Sequence, residues 1–145
     1  MDAWHDPGMT FSGPMEHRLA IRELYGAYAD SAFRADRDAW LDCWADDCIW
    51  STEFGEVSGK PALDEQWDVI WQTFRSMGFF SEVGSIVVDG DKARGRAYCR
   101  EILNLGGGRV RKLVGAYEDD LVRQDGHWRF SKRVYTVMIA EEPAP

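Results

Sequence analysis

The chain is poor in histidine and cysteine and has no long apolar run, and each shortage removes a class of function. Histidine occurs three times in 145 residues, as His5, His17 and His127. The stretch between His17 and His127 therefore lacks the side chain that most readily moves protons near neutral pH. Cysteine also occurs three times, as Cys43, Cys48 and Cys99. The number is odd and no Cys-x-x-Cys or Cys/His spacing appears, which argues against a disulfide framework and against zinc, and makes a reduced cytoplasmic setting the expectation. No segment approaches the apolar length of a membrane span, and the opening MDAWHDPGMTFSGP has no basic-then-apolar leader pattern. Basic residues are outnumbered, 17 Lys and Arg against 25 Asp and Glu, for a formal charge of -8. Nucleic acid is disfavoured as a partner, because its phosphates call for a basic surface. A neutral or apolar small ligand suits this balance better. Gly106-Gly107-Gly108 links two strands rather than opening a helix, so it is no phosphate loop. No serine sits in a nucleophile-elbow context. Nothing calls for a nicotinamide, flavin or metal, and no cofactor is expected.

What the chain has in quantity is aromatic side chains: seven Trp, seven Phe and five Tyr. In a single domain of this length they can form the core, and their polar tips suit the wall of a cavity. Ile21, Leu24, Tyr25, Tyr28, Ala29, Ala32 and Phe33 follow helical spacing, which predicts a helix from about Glu16 to Phe33. Asp36 suits the N-cap of a short helix carrying Trp40, Leu41 and Trp44. Cys48 to Glu53 reads as a strand and Val57 as part of a second, with Gly55 at the turn. Pro61 suits a helix start, and Leu63, Gln66, Trp67, Ile70, Trp71 and Phe74 extend that helix to about Met77, where Gly78 stops it. Long strands follow from Ser85 to Val137, reversing at Asp89-Gly90, at the Gly106 triplet and at Asp125-Gly126. Helices first and antiparallel strands second predict an α+β sandwich over residues 15–138, with loose tails at 1–14 and 139–145.

This order, with the phrases IRELYGAYADSAFRADRDAWLDCWADDCIW, VDGDKA and YEDDLVRQDGHWRFSKR, resembles the SnoaL-like branch of the nuclear transport factor 2 superfamily. The resemblance implies a cone-shaped α+β barrel in which three helices close a strongly curved, mostly antiparallel sheet over an apolar cavity. It also implies a homo-oligomer, dimer or trimer, formed through the sheet. In the dehydratase and dehydrochlorinase members, an Asp near the end of the first helix orients a His at the start of the long sheet. Those positions fall here on Phe33 and on Gly78, Phe79 or Phe80, so the dyad is missing from its usual place.

Candidate chemistry then rests on other residues. On the strand Ala93 to Leu103, the small and apolar set Ala93, Gly95, Ala97, Cys99 and Leu103 shares its face with Glu101, which makes that face the inner one. A carboxylate there would be desolvated toward a general-base pKa, unless the strand turns Glu101 out to a neighbouring Arg in solvent. Arg133 in RFSKR matches an Arg that the dehydrochlorinase keeps in its cavity, where it assists departure of an anion. Here it could serve a ligand, or pair with Glu101 or Asp119. Tyr28 could polarise a carbonyl. Phe33, Trp50, Trp67, Trp71, Phe79, Cys99, Tyr117 and Tyr135 are the expected cavity lining, each with core packing as the simpler alternative.

The expected function is a cofactor-independent lyase, isomerase or cyclase acting on a small hydrophobic molecule of polyketide, steroid or terpenoid kind. Glu101 would accept the proton, and Tyr28 and Arg133 would stabilise negative charge. Two other roles stay open: a catalytically silent ligand-binding protein, and an assembly subunit resembling the small subunit of ring-hydroxylating dioxygenases.

Overall fold

The computed structural model describes residues 9–145. The chain runs β1 (Phe11–Ser12), α1 (Met15–Phe33), α2 (Arg37–Asp42), β2 (Trp44–Thr52), β3 (Gly55–Ser58), α3 (Lys60–Thr73), β4 (Ser76–Asp89), β5 (Lys92–Gly106), β6 (Arg109–Gln124) and β7 (His127–Glu141). Three helices pack on a curved seven-stranded mixed sheet ordered β1-β4-β5-β6-β7-β2-β3. The four long strands are antiparallel to one another, while β1 on β4 and β2 on β7 are parallel. None of the described helices is long and apolar enough to cross a membrane.

The helices form where the apolar spacing asks for them. Ile21, Tyr25, Tyr28 and Ala32 are the buried stripe of α1. Asp36 caps α2 by accepting from the Ala39 backbone N–H at 3.1 Å, satisfying one of the donors a helix start leaves open. Arg37 ties α2 to α3 through Asp64 and Asp68. Leu63 and Trp67 are the buried face of α3.

Four expectations need correction. Trp44 belongs to β2, not to α2. Helix α3 stops at Thr73 rather than near Met77, because Ser76, Met77 and Gly78 are taken up by the β5 ladder opposite Asn104, Leu103 and Ile102. Sheet pairing overrides helical spacing there. The expected loose tail does not hold for residues 9–14: Ser85 Oγ donates to the Met9 carbonyl at 2.9 Å, and Phe11 and Ser12 pair with Ile86 and Val87. Residues 1–8 of that tail lie outside the described residues. At the other end β7 continues to Glu141, opposite Lys112.

One irregularity decides what faces the core. Strict alternation along β7 would put Arg133 and Tyr135 on the side opposite Trp128 and Phe130. The β6–β7 register slips between Asp120 and Leu121, leaving Ser131 as an extra residue, and its hydroxyl donates to the Asp120 carbonyl at 3.1 Å. The bulge brings Arg133 and Tyr135 round to the inner face beside Trp128 and Phe130.

Candidate active site

The concave side of the sheet and the helices enclose a pocket of about 510 Å³. Tyr28 of α1, Trp40 of α2, Trp50 of β2, Trp67 and Trp71 of α3, Phe79 of β4, Glu101 of β5, Tyr117 of β6 and Tyr135 of β7 contribute to its wall. The rings form a continuous layer: Trp40 meets Trp67 at 5.2 Å and Trp50 at 5.8 Å between centroids, and Tyr28 meets Phe79 at 5.7 Å. Glu53 and Phe54 from the β2–β3 turn and Glu56 of β3, with Arg111 and Glu142, also border the pocket. Arg111 donates to Glu142 at 2.7 Å. Phe54 is 94% exposed, so this side is the mouth.

Glu101 is the charged group set among the rings. It lies directly across the ladder from Phe79, and no ion pair reaches it among those described. Its near polar contact is the Cys99 thiol, which faces Oε1 at 3.9 Å. Burial pushes the Glu101 carboxyl from 4.5 up to about 7, while the Cys99 thiol and the Tyr135 hydroxyl pull the other way. A carboxyl poised there can exchange a proton in either direction at neutral pH.

Arg133 is handled in the opposite way. It is 1% exposed and Asp119 is fully buried. The two are directly opposed on β6 and β7 and join bidentately, Nε to Oδ1 at 2.8 Å and Nη2 to Oδ2 at 3.1 Å. The Tyr25 hydroxyl donates to the same Oδ2. The guanidinium carbon lies 3.7 Å from the Tyr117 ring centroid, 4.2 Å from Phe130 and 4.4 Å from Tyr28. Burial opposes the charge on Arg133, and Asp119 together with the surrounding Tyr28 and Tyr117 outweighs it, so the guanidinium is held charged. Burial likewise pushes the Asp119 carboxyl up, against the pull of Arg133 and Tyr25.

The structure therefore sorts the expected residues. Tyr28, Trp50, Trp67, Trp71, Phe79, Glu101, Tyr117 and Tyr135 border one pocket. Cys99 is buried next to Glu101 but is not part of the wall. Phe33 is a correction: it is 49% exposed and packs edge-on against Phe80 at 5.7 Å, away from the pocket. As the last residue of α1, it has passed beyond the stripe that faces the sheet. Arg133 is a second correction. It sits behind the rings of Tyr28 and Tyr117 rather than on the wall, and of the two partners left open, Glu101 and Asp119, it takes Asp119. Sequence reasoning missed Tyr25, whose hydroxyl completes the pair, and the two glycines that make room for rings. A Cβ on Gly95 would stand 2.2 Å from the Tyr25 hydroxyl oxygen, and one on Gly115 would stand 2.1 Å from Tyr135 Cε2. The available signal was a glycine in mid-strand on an inward position, which marks a close approach.

A SnoaL-like domain model matches residues 14–134, and the chain belongs to that family. It is 30% identical over 120 residues to the gamma-hexachlorocyclohexane dehydrochlorinase of Sphingobium indicum, across 80% of this chain and 77% of that one. Among solved structures, hexachlorocyclohexane dehydrochlorinase LinA-type3 of Novosphingobium barchaimii superposes with a TM-score of 0.79 at 24% identity, covering 90% of this chain and 92% of that one. A Novosphingobium aromaticivorans protein provisionally named a scytalone dehydratase reaches a TM-score of 0.82 at 20% identity, covering 90% of each chain. These two likenesses establish the fold.

Two outcomes test the site as a physical object. Gly95→Ala should destabilise the protein by roughly 2–4 kcal/mol in urea unfolding, through overpacking and loss of the Tyr25 bond to Asp119. Adding Tyr25→Phe should cost less than the sum of the two changes, because both act on one contact. For Glu101, a folded pKa raised above the unfolded one means that the folded state binds more protons between pH 4.5 and about 7, so its contribution to stability falls as pH rises through that window. Glu101→Gln should therefore be more stable than wild type above pH 7, by on the order of 3 kcal/mol at most. The difference should vanish below pH 4.5, which thermal melts across a pH series would show.

Proposed function

We propose that the protein is a cofactor-independent lyase whose chemistry begins with removal of a proton from carbon by Glu101. The observation that carries this reading is an ionisable carboxyl without an ion-pair partner on the wall of an aromatic pocket, poised near neutrality by burial. Such a group is costly in a packing role and useful as a base.

The position of Glu101 supports the same reading. By resemblance, relatives carry their basic His in the stretch Gly78 to Phe80, and Glu101 is the cross-strand partner of Phe79 within it. Directly opposed residues have Cβ atoms about 5 Å apart. A base on β5 can therefore serve nearly the same volume as one on β4.

In an elimination, the C–H bond breaks and its proton passes to Glu101. The electron pair forms a C=C bond, and the group on the adjacent carbon leaves with its bonding electrons. Tyr28 borders the pocket with its ring face against Arg133, and in this reading the guanidinium makes that hydroxyl a better donor to developing negative charge. Arg133 acts through Tyr28 and Tyr117, as a positioning residue. The substrate is a small ring compound, uncharged because Arg133 is already neutralised by Asp119 and the mouth carries Glu53 and Glu56.

A second reading, a ligand-binding protein without turnover, draws on Phe79 standing where relatives carry a base. The two readings part in assay. Chloride release from γ-hexachlorocyclohexane and deuterium exchange into α-tetralone in D2O both report proton abstraction from carbon. Either should be measurable with wild type, rise with pH to a plateau above about 7, and drop about a hundredfold or more in Glu101→Gln. Ligand binding with neither reaction, or a reaction indifferent to Glu101→Gln, would establish the second reading or remove Glu101 as base.

A further inference from the structure

Two neighbours of Glu101 have no part in the bond changes of the elimination, the Cys99 thiol and the Tyr135 hydroxyl, yet definite features of the fold bring both to it. Cys99 stands two residues before Glu101 on β5, so the two side chains share the inner face, and its Sγ donates toward Glu101 Oε1 at 3.9 Å. Tyr135 reaches the same spot from β7. The β6–β7 ladder slips twice around it, at Ser131 and again between Val114 and Gly115, where Met138 is the extra residue. Bulges re-aim side chains and gather next to active sites. The Tyr135 ring leans over Gly115, the direct cross-strand partner of Cys99, where a Cβ would come within 2.5 Å of the hydroxyl oxygen. Any side chain at 115 would expel it. Tyr117, opposite Tyr135 on the ladder, stacks on the ring at 4.7 Å with the planes 33° apart.

Both groups are suited to donate and not to ionise. The Tyr135 hydroxyl is close enough to hydrogen-bond with the Cys99 thiol and the Glu101 carboxylate, and no other partner engages it. Burial pushes the Cys99 thiol up to about 12, with Glu101 adding to the effect. Burial pushes the Tyr135 hydroxyl up as well, again with Glu101 and Cys99 adding to it. Neither gives up its proton in the range where Glu101 titrates. The other phenols that face the carboxyl, Tyr28 of α1 and Tyr117 of β6, are also held up by burial. Phe79 of β4 and the indoles of β2, α2 and α3 cannot ionise, and Glu53, Glu56, Arg111 and Glu142 stand at the mouth.

We propose that Cys99 and Tyr135 are positioning residues for the base: they donate to one oxygen of Glu101, Oε1, and so present the other, Oε2, to the C–H bond of the ligand. This deepens the lyase reading and rests on it for the role of Glu101. Donors aimed at the ionised form also keep the carboxylate available at lower pH than burial alone would allow.

The test begins without substrate. In protein carrying isotope-labelled glutamate carboxyls, the Glu101 NMR signal, assigned by its loss in Glu101→Gln, should titrate at about 7 in wild type. Loss of a donor to the ionised form raises the midpoint, so Tyr135→Phe should move it up by about half a pH unit or more, Cys99→Ala should move it the same way, and the double variant further. Cys99→Ser keeps a donor and should stay near wild type, a rescue that a merely space-filling sulfur would not produce. In deuterium exchange into α-tetralone, the rising limb of the pH profile should move with the midpoint in each variant. Midpoints that stay or fall in both Tyr135→Phe and Cys99→Ala would overturn the proposal. Turnover whose pH limb ignores both changes would also overturn it and leave the lyase reading standing. Raised midpoints with no turnover in any form would remove the lyase reading while upholding Cys99 and Tyr135 as the groups that hold the carboxyl.

Discussion

The buried ion pair between Arg133 and Asp119 is the constraint on which the rest of the site depends. Two opposed charges at the centre of a core are tolerable only when geometry and further hydrogen bonds repay their desolvation. Here the repayment is spread over three elements: β6 supplies Asp119, β7 supplies Arg133, and α1 supplies the Tyr25 hydroxyl. A helix is thereby locked to the sheet at one height and rotation. Gly95 on β5 is what allows the tyrosine to reach. The same guanidinium underlies the Tyr117 and Tyr28 rings, so the back of the pocket wall is seated on a fixed charge. An aromatic wall seated on a fixed charge, rather than on side chains free to repack, is a rigid one.

That pair also explains why the other inward carboxyl behaves differently. Asp119 and Glu101 both lie on the inner face of long strands, and burial raises both. Asp119 receives a bidentate guanidinium and a phenol, and is spent on structure. Glu101 has a thiol at 3.9 Å and the Tyr135 hydroxyl beside it, no cation, and remains able to take or give a proton near neutrality.

Much of this was legible in the sequence, and the failures have particular physical causes. The stripe of α1, the Asp36 cap, the strand alternation that turns Glu101 inward and the hairpin at Asp125-Gly126 all follow from local periodicity or backbone preference, and all stand in the structure. The end of α3 was misread because Trp71 and Phe74 continue a helical spacing while Ser76 onward is claimed by β5, a partner distant in sequence. The facing of Arg133 depends on the Ser131 bulge, and period two cannot announce an inserted residue. Phe33 was placed inward by extending a stripe one step past the point where the helix leaves the sheet. The pairing of Arg133 with Asp119 was one of two the sequence left open, and the register between β6 and β7 decides it.

The placement of the proposed base is best understood from the sheet rather than from the helix. Cross-strand neighbours on one face of an antiparallel ladder look into the same small volume, so Phe79 and Glu101 are alternative addresses for a group acting on one point of a ligand. The strand fixes the direction of a carboxyl at the second address, and burial tunes its affinity for a proton. Phe79, directly opposite Glu101, contributes to the burial that raises the carboxyl's pKa. On the proposed reading, a phenyl ring beside a lone carboxyl is part of the proton-handling apparatus.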